Sequence, residues 1–337
     1  MEPIKQNELN QILTKARPNV KENTIKMYER NLEKIKNIFE TDNWEFLDDV
    51  ENVKKTFSLL KGKDKVSPMN YTTIRNYYNS IIILLMALNS DKHYDTLLKS
   101  YGDLRDELNK QYEDENASGV ISDKQKGNFV PLKEVEDMIE TICGELSLQK
   151  IKKKEDVSVK NKQLLQIYTL LNIYIRLPMR NDMAGVSAIM KSAYNKLTDE
   201  DKENNNYLVV QQKQMWFVLN EYKTKAKYKE KRIDVPKDLE KILRLYVRVN
   251  GMGILFKTGT GTPITRNALT QLLTKTSQKY MGKSISTTML RKIVLSHKFQ
   301  NTKEDMKQMA DVCGHSVATQ QHIYVKKNQN ENSGNTE

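Results

Sequence analysis

Near its end the chain reads Cys313-Gly314-His315-Ser316-Val317-Ala318-Thr319-Gln320-Gln321-His322-Ile323-Tyr324, its most specific stretch. A Gly-His-Ser turn leads into a polar helix that ends at Tyr324, and we expect His315 and Tyr324 to lie close enough to act on one phosphate. A tyrosine hydroxyl beside a histidine and arginines is a candidate nucleophile for a phosphodiester. The alternative is a capped terminal helix with a half-buried tyrosine.

Length and charge set the first limits on function. The chain has 337 residues, enough for two domains, and a formal net charge of +12. One explanation of the charge is a Lys- and Asn-rich composition inherited from an AT-rich genome. The other is a nucleic-acid-binding surface, on which Lys and Arg displace counterions from phosphates.

Two further patterns exclude function classes. No apolar run approaches the ~18 residues of a membrane span, and the polar start of the chain does not resemble a secretory signal. Cys143 and Cys313 lie far apart, with no CxxC pair. This spacing predicts an intracellular, reducing compartment, no disulfide framework and no metal site.

The first part of the chain, residues 1–115, predicts a helical bundle. Apolar residues recur at helical spacing from Thr24, a candidate N-cap, and three more helices are expected further on; the predicted ranges are 24–39, 50–60, 71–88 and 102–112. Lys26 and Arg75 are candidate contacts for DNA phosphates, although an ordinary solvated face explains such residues equally well. Residues 116–128 lack periodicity and predict a linker.

The second part, residues 129–326, predicts a mixed domain followed by a disordered tail, 327–337. A helix at 164–175 is apolar nearly all round and ends before Pro178. Strand-like runs follow at 207–210, 215–219, 232–235 and 254–256. Helices are then expected at 237–249, 265–280, 286–298 and 303–312. The fold class is therefore mainly α with a small antiparallel β-sheet, that is, α+β.

Five residues of this second part are candidates for the chemistry of a phosphodiester, and their order along the chain is informative: Arg180, Lys223, Arg291, His315 and Tyr324. Arg180 follows the buried helix, Lys223 precedes a basic hairpin tip, and Arg291 lies in a helix capped by Ser286. This order, ending near the C-terminus, resembles the tyrosine recombinases, the lambda-integrase-like enzymes that break and rejoin DNA. The blocks around Arg180 and Lys223 look like variants found in integrases of large eukaryotic DNA viruses and related mobile elements.

The resemblance implies both a fold and a mechanism. Residues 1–115 look like the family's core-binding domain, which clamps DNA, and 129–326 like its catalytic domain of the DNA breaking-rejoining type. Tyr324 is expected to form a 3′-phosphotyrosyl link, so that rejoining needs no ATP. Arg180 and Arg291 are expected to hold the phosphate oxygens, and Lys223 to protonate the departing 5′-oxygen. His315 is expected to donate a hydrogen bond to the phosphate.

Further expectations concern supporting groups and partners. Asp182 is expected to orient Arg180, while Lys225 and Lys227 are candidate DNA contacts. Because arginines supply the positive charge, no metal and no other cofactor is expected. Double-stranded DNA is the expected partner, with a homotetramer assembled on it, and no membrane is involved. If the protein is viral, the host nucleus or a viral factory is its expected location.

One position departs from the family pattern. The family usually has His three positions before the second arginine, where this chain has Thr288. A threonine hydroxyl donates a hydrogen bond to phosphate but carries no proton at neutral pH. Three alternatives to a recombinase stay open. The same residues suit a type IB topoisomerase-like enzyme, Thr288 supports a DNA-binding architectural protein with a decayed site, and charge alone supports an RNA-binding protein.

Overall fold

Two separate hydrophobic cores organise the chain, one in each of two units, Met1–Ile121 and Ser122–Glu337. The structure is a computed structural model that describes residues 6–89, 92–117, 121–146, 151, 157–223, 225–313 and 317. The division between the units falls within the stretch predicted as a linker. Each unit buries its own set of apolar side chains.

In the described part of the first unit the regular elements are helices, apart from an isolated antiparallel bridge between Lys61 and Pro68. Its helices are α1 (Gln6–Ala16), α2 (Glu22–Phe39), α3 (Val50–Leu59), α4 (Tyr71–Leu88) and α5 (Asp95–Ala117), with a 3₁₀ turn at Glu45–Asp48. The apolar spacing of α2 buries Ile25, Tyr28, Leu32 and Ile35, as the sequence predicts. The helices expected at 24–39, 50–60 and 71–88 are thus confirmed.

The structure corrects the sequence at three places in this unit. Helix α2 begins earlier, with Lys21 rather than Thr24 as its N-cap residue. Helix α1 has no counterpart in the prediction, and α5 extends well beyond 102–112 at both ends. The C-terminal extension of α5, residues 113–117, consists mostly of charged and amide side chains, which leave no apolar periodicity to reveal the helix.

The second unit begins inside the stretch predicted as a linker, with a helical turn α6 (Asp123–Lys126), and its remaining helices precede and follow the strands. They are α7 (Leu132–Glu145), α8 (Val159–Arg176), α9 (Lys191–Tyr194), α10 (Asp199–Asn204), α11 (Lys225–Tyr228), α12 (Lys237–Asn250), α13 (Arg266–Met281) and α14 (Thr287–Cys313). As predicted, the middle of α8 is buried and the helix ends before Pro178.

A five-stranded sheet of order β4-β3-β2-β1-β5 lies within the second unit. Its strands are β1 (Val186–Met190), β2 (Asn206–Val210), β3 (Met215–Leu219), β4 (Lys231–Asp234) and β5 (Gly253–Ile254). Every residue of β2 and β3 is buried, because side chains on one face join the main core and those on the other pack on Ile189, Tyr194 and Leu197. Burial on both faces explains why these strands read as continuous apolar runs.

The α+β class is confirmed, but the sheet is mixed rather than wholly antiparallel. Strand β1, absent from the prediction, pairs with β2 in parallel, Val186 opposite Asn206. A parallel pair needs a crossover connection, and the short helices α9 and α10 provide it. The remaining pairs, β2 with β3, β3 with β4 and β1 with β5, are antiparallel.

The last described helix is also different from the prediction. Helix α14 runs unbroken over Thr287–Cys313, where two helices were expected at 286–298 and 303–312. No Gly or Pro interrupts this stretch, so nothing in its sequence forces a break. None of the helices in the described parts of the chain combines the length and apolar character that crossing a membrane requires.

Candidate active site

A cleft of about 530 Å³ opens in the second unit between the end of α8, the β3–β4 hairpin and the first turns of α14. Its lining combines cations, aromatic rings and one carboxylate: Pro178, Met179, Arg180, Asp182, Leu219, Tyr222, Tyr228, Lys231, Ile233 and Arg291. Three elements that are distant in sequence thus contribute to one site. Of the residues predicted to act on a phosphate, Arg180 and Arg291 lie here together.

Arg180 is positioned by the way α8 ends. Pro178 stops the helix, and the chain turns into a 3₁₀ turn at Asn181–Met183. The hydroxyl of Tyr174, on the last part of α8, donates a hydrogen bond of 3.3 Å to the carbonyl of Arg180. Tyr174 is fully buried, and burial raises the pKa of its hydroxyl well above the ordinary value. The backbone of Arg180 is therefore fixed while its side chain is exposed to the cleft.

Arg291 is positioned by the capped start of α14. The backbone N–H of Met289 donates a hydrogen bond of 3.2 Å to Oγ of Ser286, which confirms the predicted cap. Met289 and Leu290, which directly precede Arg291, are buried in the core. The half-buried Arg291 side chain is left to line the cleft.

Among the described residues that line the cleft, Asp182 is the one carboxylate, and an arginine that was not predicted lies beside it. Its Oδ1 lies 3.7 Å from Nη2 of Arg266, a residue that sequence reasoning did not nominate. Burial raises the pKa of Asp182, and the charges of Arg266, Arg180, Lys231 and Arg291 oppose that rise. Asp182 therefore lies among four cationic side chains, and it forms a long ion pair with Arg266.

The lysine of the cleft is Lys231 rather than Lys223. Lys223 is exposed and does not line the cleft, whereas Lys231 is half-buried at the start of β4. The Nζ atom of Lys231 lies 4.9 Å from the ring centroids of both Tyr222 and Tyr228. Two cation–π contacts hold the ammonium group at the cleft wall, where it can act as a charge or as an acid.

The remaining predicted residues lie elsewhere. Lys225 donates a hydrogen bond through Nζ to the carbonyl of Glu203, and Lys227 lies over the ring of Tyr228. Thr288 is exposed in the first turn of α14 and is not part of the cleft lining. His315 and Tyr324 lie outside the described residues.

The two predicted DNA contacts of the first unit are both engaged with neighbouring side chains. Lys26 forms an ion pair of 2.6 Å with Glu22, one helical turn away. The guanidinium of Arg75 lies 4.8 Å from the ring centroid of Tyr112. Exposed pairs of these kinds are weak, so both side chains remain available to a phosphate.

A buried asparagine ties two walls of the cleft together. Nδ2 of Asn206 donates to the carbonyls of Asp182, at 3.4 Å, and Glu221, at 2.9 Å. Its Oδ1 accepts hydrogen bonds from the backbone N–H groups of Asn220 and Glu221, each at 2.8 Å. One side chain thus joins the turn after Arg180 to the start of the hairpin that carries Lys231.

Sequence reasoning missed Lys231, Arg266, Tyr174 and Asn206. The lysines of the hairpin are too numerous for spacing alone to choose among them, and the strand register that places Lys231 opposite Leu219 is a tertiary property. Asn206 carried a usable signal, since it is a polar residue opening a continuous apolar strand. Arg266 and Tyr174 carried none.

The arrangement suits a tetrahedral anion. Arg180, Lys231 and Arg291 present three positive side chains around a cleft whose wall is partly apolar, with Leu219 and Ile233 beside the charges. Guanidinium groups bind two oxygens of a phosphate at once, and a lysine adds a point charge with a transferable proton. The site can therefore bind a phosphodiester and stabilise the extra charge of its transition state.

Neither a protein-family model nor a curated protein matches the chain. Among solved structures, the crystal structure of XerA recombinase is similar at 13% identity and a TM-score of 0.33, covering 96% of this chain and 95% of that chain. The XerH site-specific recombinase, bound to its difH substrate in a pre-cleavage complex, is similar at 12% identity and a TM-score of 0.34, covering 95% and 94%. Both of those proteins are recombinases.

Proposed function

We propose that this protein is a site-specific DNA recombinase that cleaves and rejoins DNA through a 3′-phosphotyrosyl intermediate on Tyr324. The observation that carries the proposal is that Arg180 and Arg291, which are far apart in the second unit's sequence, line one cleft. The net charge of +12 supports a polyanionic substrate. The sequence from Gly314 to Tyr324 supports the nature of the nucleophile.

In this mechanism each residue has a distinct task. Arg180 and Arg291 bind the non-bridging oxygens and stabilise the pentavalent phosphorane. Tyr324 attacks phosphorus while its hydroxyl proton passes to solvent water, and the bond from phosphorus to the 5′-oxygen breaks. Lys231 supplies the proton to that departing oxygen, since it is the lysine in the cleft lining. His315 donates a hydrogen bond to the phosphate, and Asp182 orients the arginines around it.

The covalent link explains why no external energy source is needed. The phosphotyrosyl ester retains the energy of the broken phosphodiester, and a free 5′-hydroxyl reverses the step. We further propose, on the sequence resemblance, that four protomers exchange strands between two duplexes, and that the exchange serves integration and recombination of a viral or other mobile element.

Covalent trapping tests the proposal. Wild type and Tyr324→Phe are incubated with nicked duplexes that lose the 5′-hydroxyl fragment after cleavage, and denaturing gels then reveal protein–DNA adducts. An adduct that depends on Tyr324 supports the proposal, and exchange between two marked duplexes then separates a recombinase from an enzyme that only relaxes supercoils. Tight DNA binding without any adduct across a varied pool of duplexes would refute the cleavage mechanism.

A further inference from the structure

A second pocket, of about 540 Å³, lies in the same unit but shares no lining residue with the cleft. It lies between the first half of α8, the turn that follows β5, and helix α13. Its volume falls within the range of small-molecule sites. Nothing in the proposed cleavage mechanism uses it.

Three lysines lead into this pocket, and none of the described residues that line it is acidic. Lys162 comes from α8, Lys257 from the turn, and Lys275 from α13. Within the described parts of the chain, none of the three ammonium groups forms an ion pair. Three like charges around one concavity repel one another unless an anion lies between them. The pocket therefore has the electrostatics of an anion site.

The wall opposite α8 is a turn of sequence Lys257-Thr258-Gly259-Thr260-Gly261-Thr262. The turn is closed by its own backbone, with the N–H of Thr258 donating to Thr262 and that of Gly261 to Thr258. These bonds leave the N–H groups of Gly259 and Thr260 unused by the turn. The hydroxyl of Thr258 lies 2.9 Å from that of Thr260 and 2.7 Å from that of Thr262. The turn thus concentrates neutral hydrogen-bond donors beside Lys257.

The turn is held rigidly where it begins. Gln166 of α8 accepts a hydrogen bond of 3.0 Å from the backbone N–H of Lys257 and donates one of 2.9 Å to its carbonyl. The hydroxyl of the buried Tyr246 lies 3.0 Å from Oε1 of the same glutamine. Gly261 permits the tight turn, since its φ is +83°, a value that side-chain-bearing residues rarely adopt. Donors and charges are therefore preorganised rather than scattered on a loose loop.

The floor of the pocket is apolar, formed by Ile264, Ala268 and Leu272. Beside such a floor, water screens the lysine charges less than on an open surface. We propose that this pocket binds a phosphate ester, with Lys162, Lys257 and Lys275 on its oxygens and the Thr-Gly turn donating hydrogen bonds. The phosphate belongs either to a DNA backbone or to a free polyphosphate such as a nucleotide.

Paired charge variants test this inference. Lys162→Gln with Lys275→Gln removes two charges from the pocket, and Lys160→Gln with Lys279→Gln removes two exposed charges from the same two helices outside it. In the first arm, calorimetry measures the binding of inorganic tripolyphosphate. All proteins in this arm also carry Arg180→Gln and Arg291→Gln, which disable the cleft, and thermal melts verify that they fold.

We expect the pocket variant to bind tripolyphosphate at least about tenfold more weakly than the control, from the loss of two charge-assisted contacts. In the second arm, binding of a duplex to proteins with an intact cleft is measured against salt concentration. If DNA supplies the phosphate, the slope of log affinity against log salt falls by about 2 in the pocket variant and less in the control. If the pocket variant loses affinity for tripolyphosphate while its salt slope for DNA matches that of the control, the ligand is a free polyphosphate.

Equal behaviour of the pocket variant and the control in both arms would overturn the inference, and would point instead to a non-phosphate occupant such as an acidic protein segment. Because the first arm needs no cleavage, its result is independent of whether Tyr324 acts as a nucleophile. The adduct assay on the pocket variant then shows separately whether cleavage survives.

Discussion

Single side chains decide the chemistry of the cleft, and their surroundings explain how. Arg180 and Arg291 could be nominated from the sequence because each follows a strong local signal, a proline stop or a serine cap. Lys231 could not, because its selection over Lys223 depends on which strand position reaches the cleft wall. Local sequence signals thus identify cleft residues next to helix ends. A cleft residue on a strand, such as Lys231, is identified only when the strand register is known.

The geometry of a guanidinium should matter more than its charge at Arg291. Arg291→Lys keeps the charge but loses two-point binding of the phosphate oxygens, so we expect adduct formation to slow about 10²-fold. Single-turnover rates on the nicked duplex measure the effect. Arg248→Lys, an exposed position of α12 outside the cleft, is the control and should leave the rate unchanged. A rate for Arg291→Lys within about threefold of wild type would contradict this role.

The leaving-group acid can be identified by changing the leaving group. Lys231→Met should slow cleavage of ordinary DNA by about 10²-fold or more, because the 5′-oxygen then departs without a proton. A substrate with sulfur in place of that oxygen needs no acid, so it should restore the rate. Lys223→Met should behave like wild type on both substrates. The opposite pattern for the two lysines would assign the proton to Lys223.

The raised pKa of Asp182 has a consequence for stability. The folded protein holds this proton more tightly than the unfolded chain, so the contribution is present below the unfolded pKa, about 3.9, and is lost as pH rises through the higher folded value. We expect the free energy of unfolding of wild type, relative to Asp182→Asn, to fall as pH rises from about 4 through the raised pKa of the folded state. Urea denaturation measures it.

Asp238 is the matched control for this titration, because its pKa moves the other way. A hydrogen bond from Arg176 lowers the pKa of Asp238, so its contribution is present above the unfolded pKa and lost as pH falls through the folded value. Relative to Asp238→Asn, wild-type stability should stay level or rise over the same pH interval. The same downward trend for both aspartates would mean that the buried carboxyl of Asp182 is not the cause.

At the scale of elements, the cleft depends on how strands and turns are joined. Strands β2 and β3 and helix α8 could be predicted because continuous apolar runs indicate burial on all sides. Strand β1 could not, since its residues are only alternately buried and its sequence forms no continuous apolar run. Asn206 matters at this scale because it bonds the backbone of two separate segments.

Removing the Asn206 side chain should loosen the cleft. Asn206→Ala leaves buried carbonyl and N–H groups of the two segments without partners, so we expect a loss of about 2 to 4 kcal/mol in the free energy of unfolding. Asn205→Ala is a close control, because that exposed side chain donates to the carbonyl of Asp201, four residues earlier in the same connection. Urea denaturation followed by Trp216 fluorescence compares them. Equal losses for the two variants would show that the bridge contributes nothing.

At the scale of the whole molecule, the chain consists of two units with a core each. Length and the change in sequence pattern near residue 116 predict two domains, because a bundle of short helices and a mixed domain need different periodicities. Their DNA-clamping and catalytic roles stay predictions. What the sequence could not supply is the parallel pairing in the sheet, since its partners lie on either side of a crossover.

Separate cores imply that each unit can fold alone. We expect the fragments Met1–Ile121 and Ser122–Glu337, produced independently, each to unfold cooperatively. The two tryptophans report them separately, because Trp44 is buried in the first core and Trp216 in the sheet of the second unit. A fragment whose tryptophan emits as if fully exposed to water under native conditions would show that its core is incomplete without the other unit.

The charge of the cleft also affects how the protein should be handled. Its lining carries three cationic side chains and a single carboxylate, so electroneutrality draws solution anions into it whenever nucleic acid is absent. Sulfate and inorganic phosphate have the tetrahedral oxygens that suit guanidinium groups, whereas chloride does not. Such buffers therefore compete with substrate beyond their effect on ionic strength, and the salt's identity counts as much as its concentration.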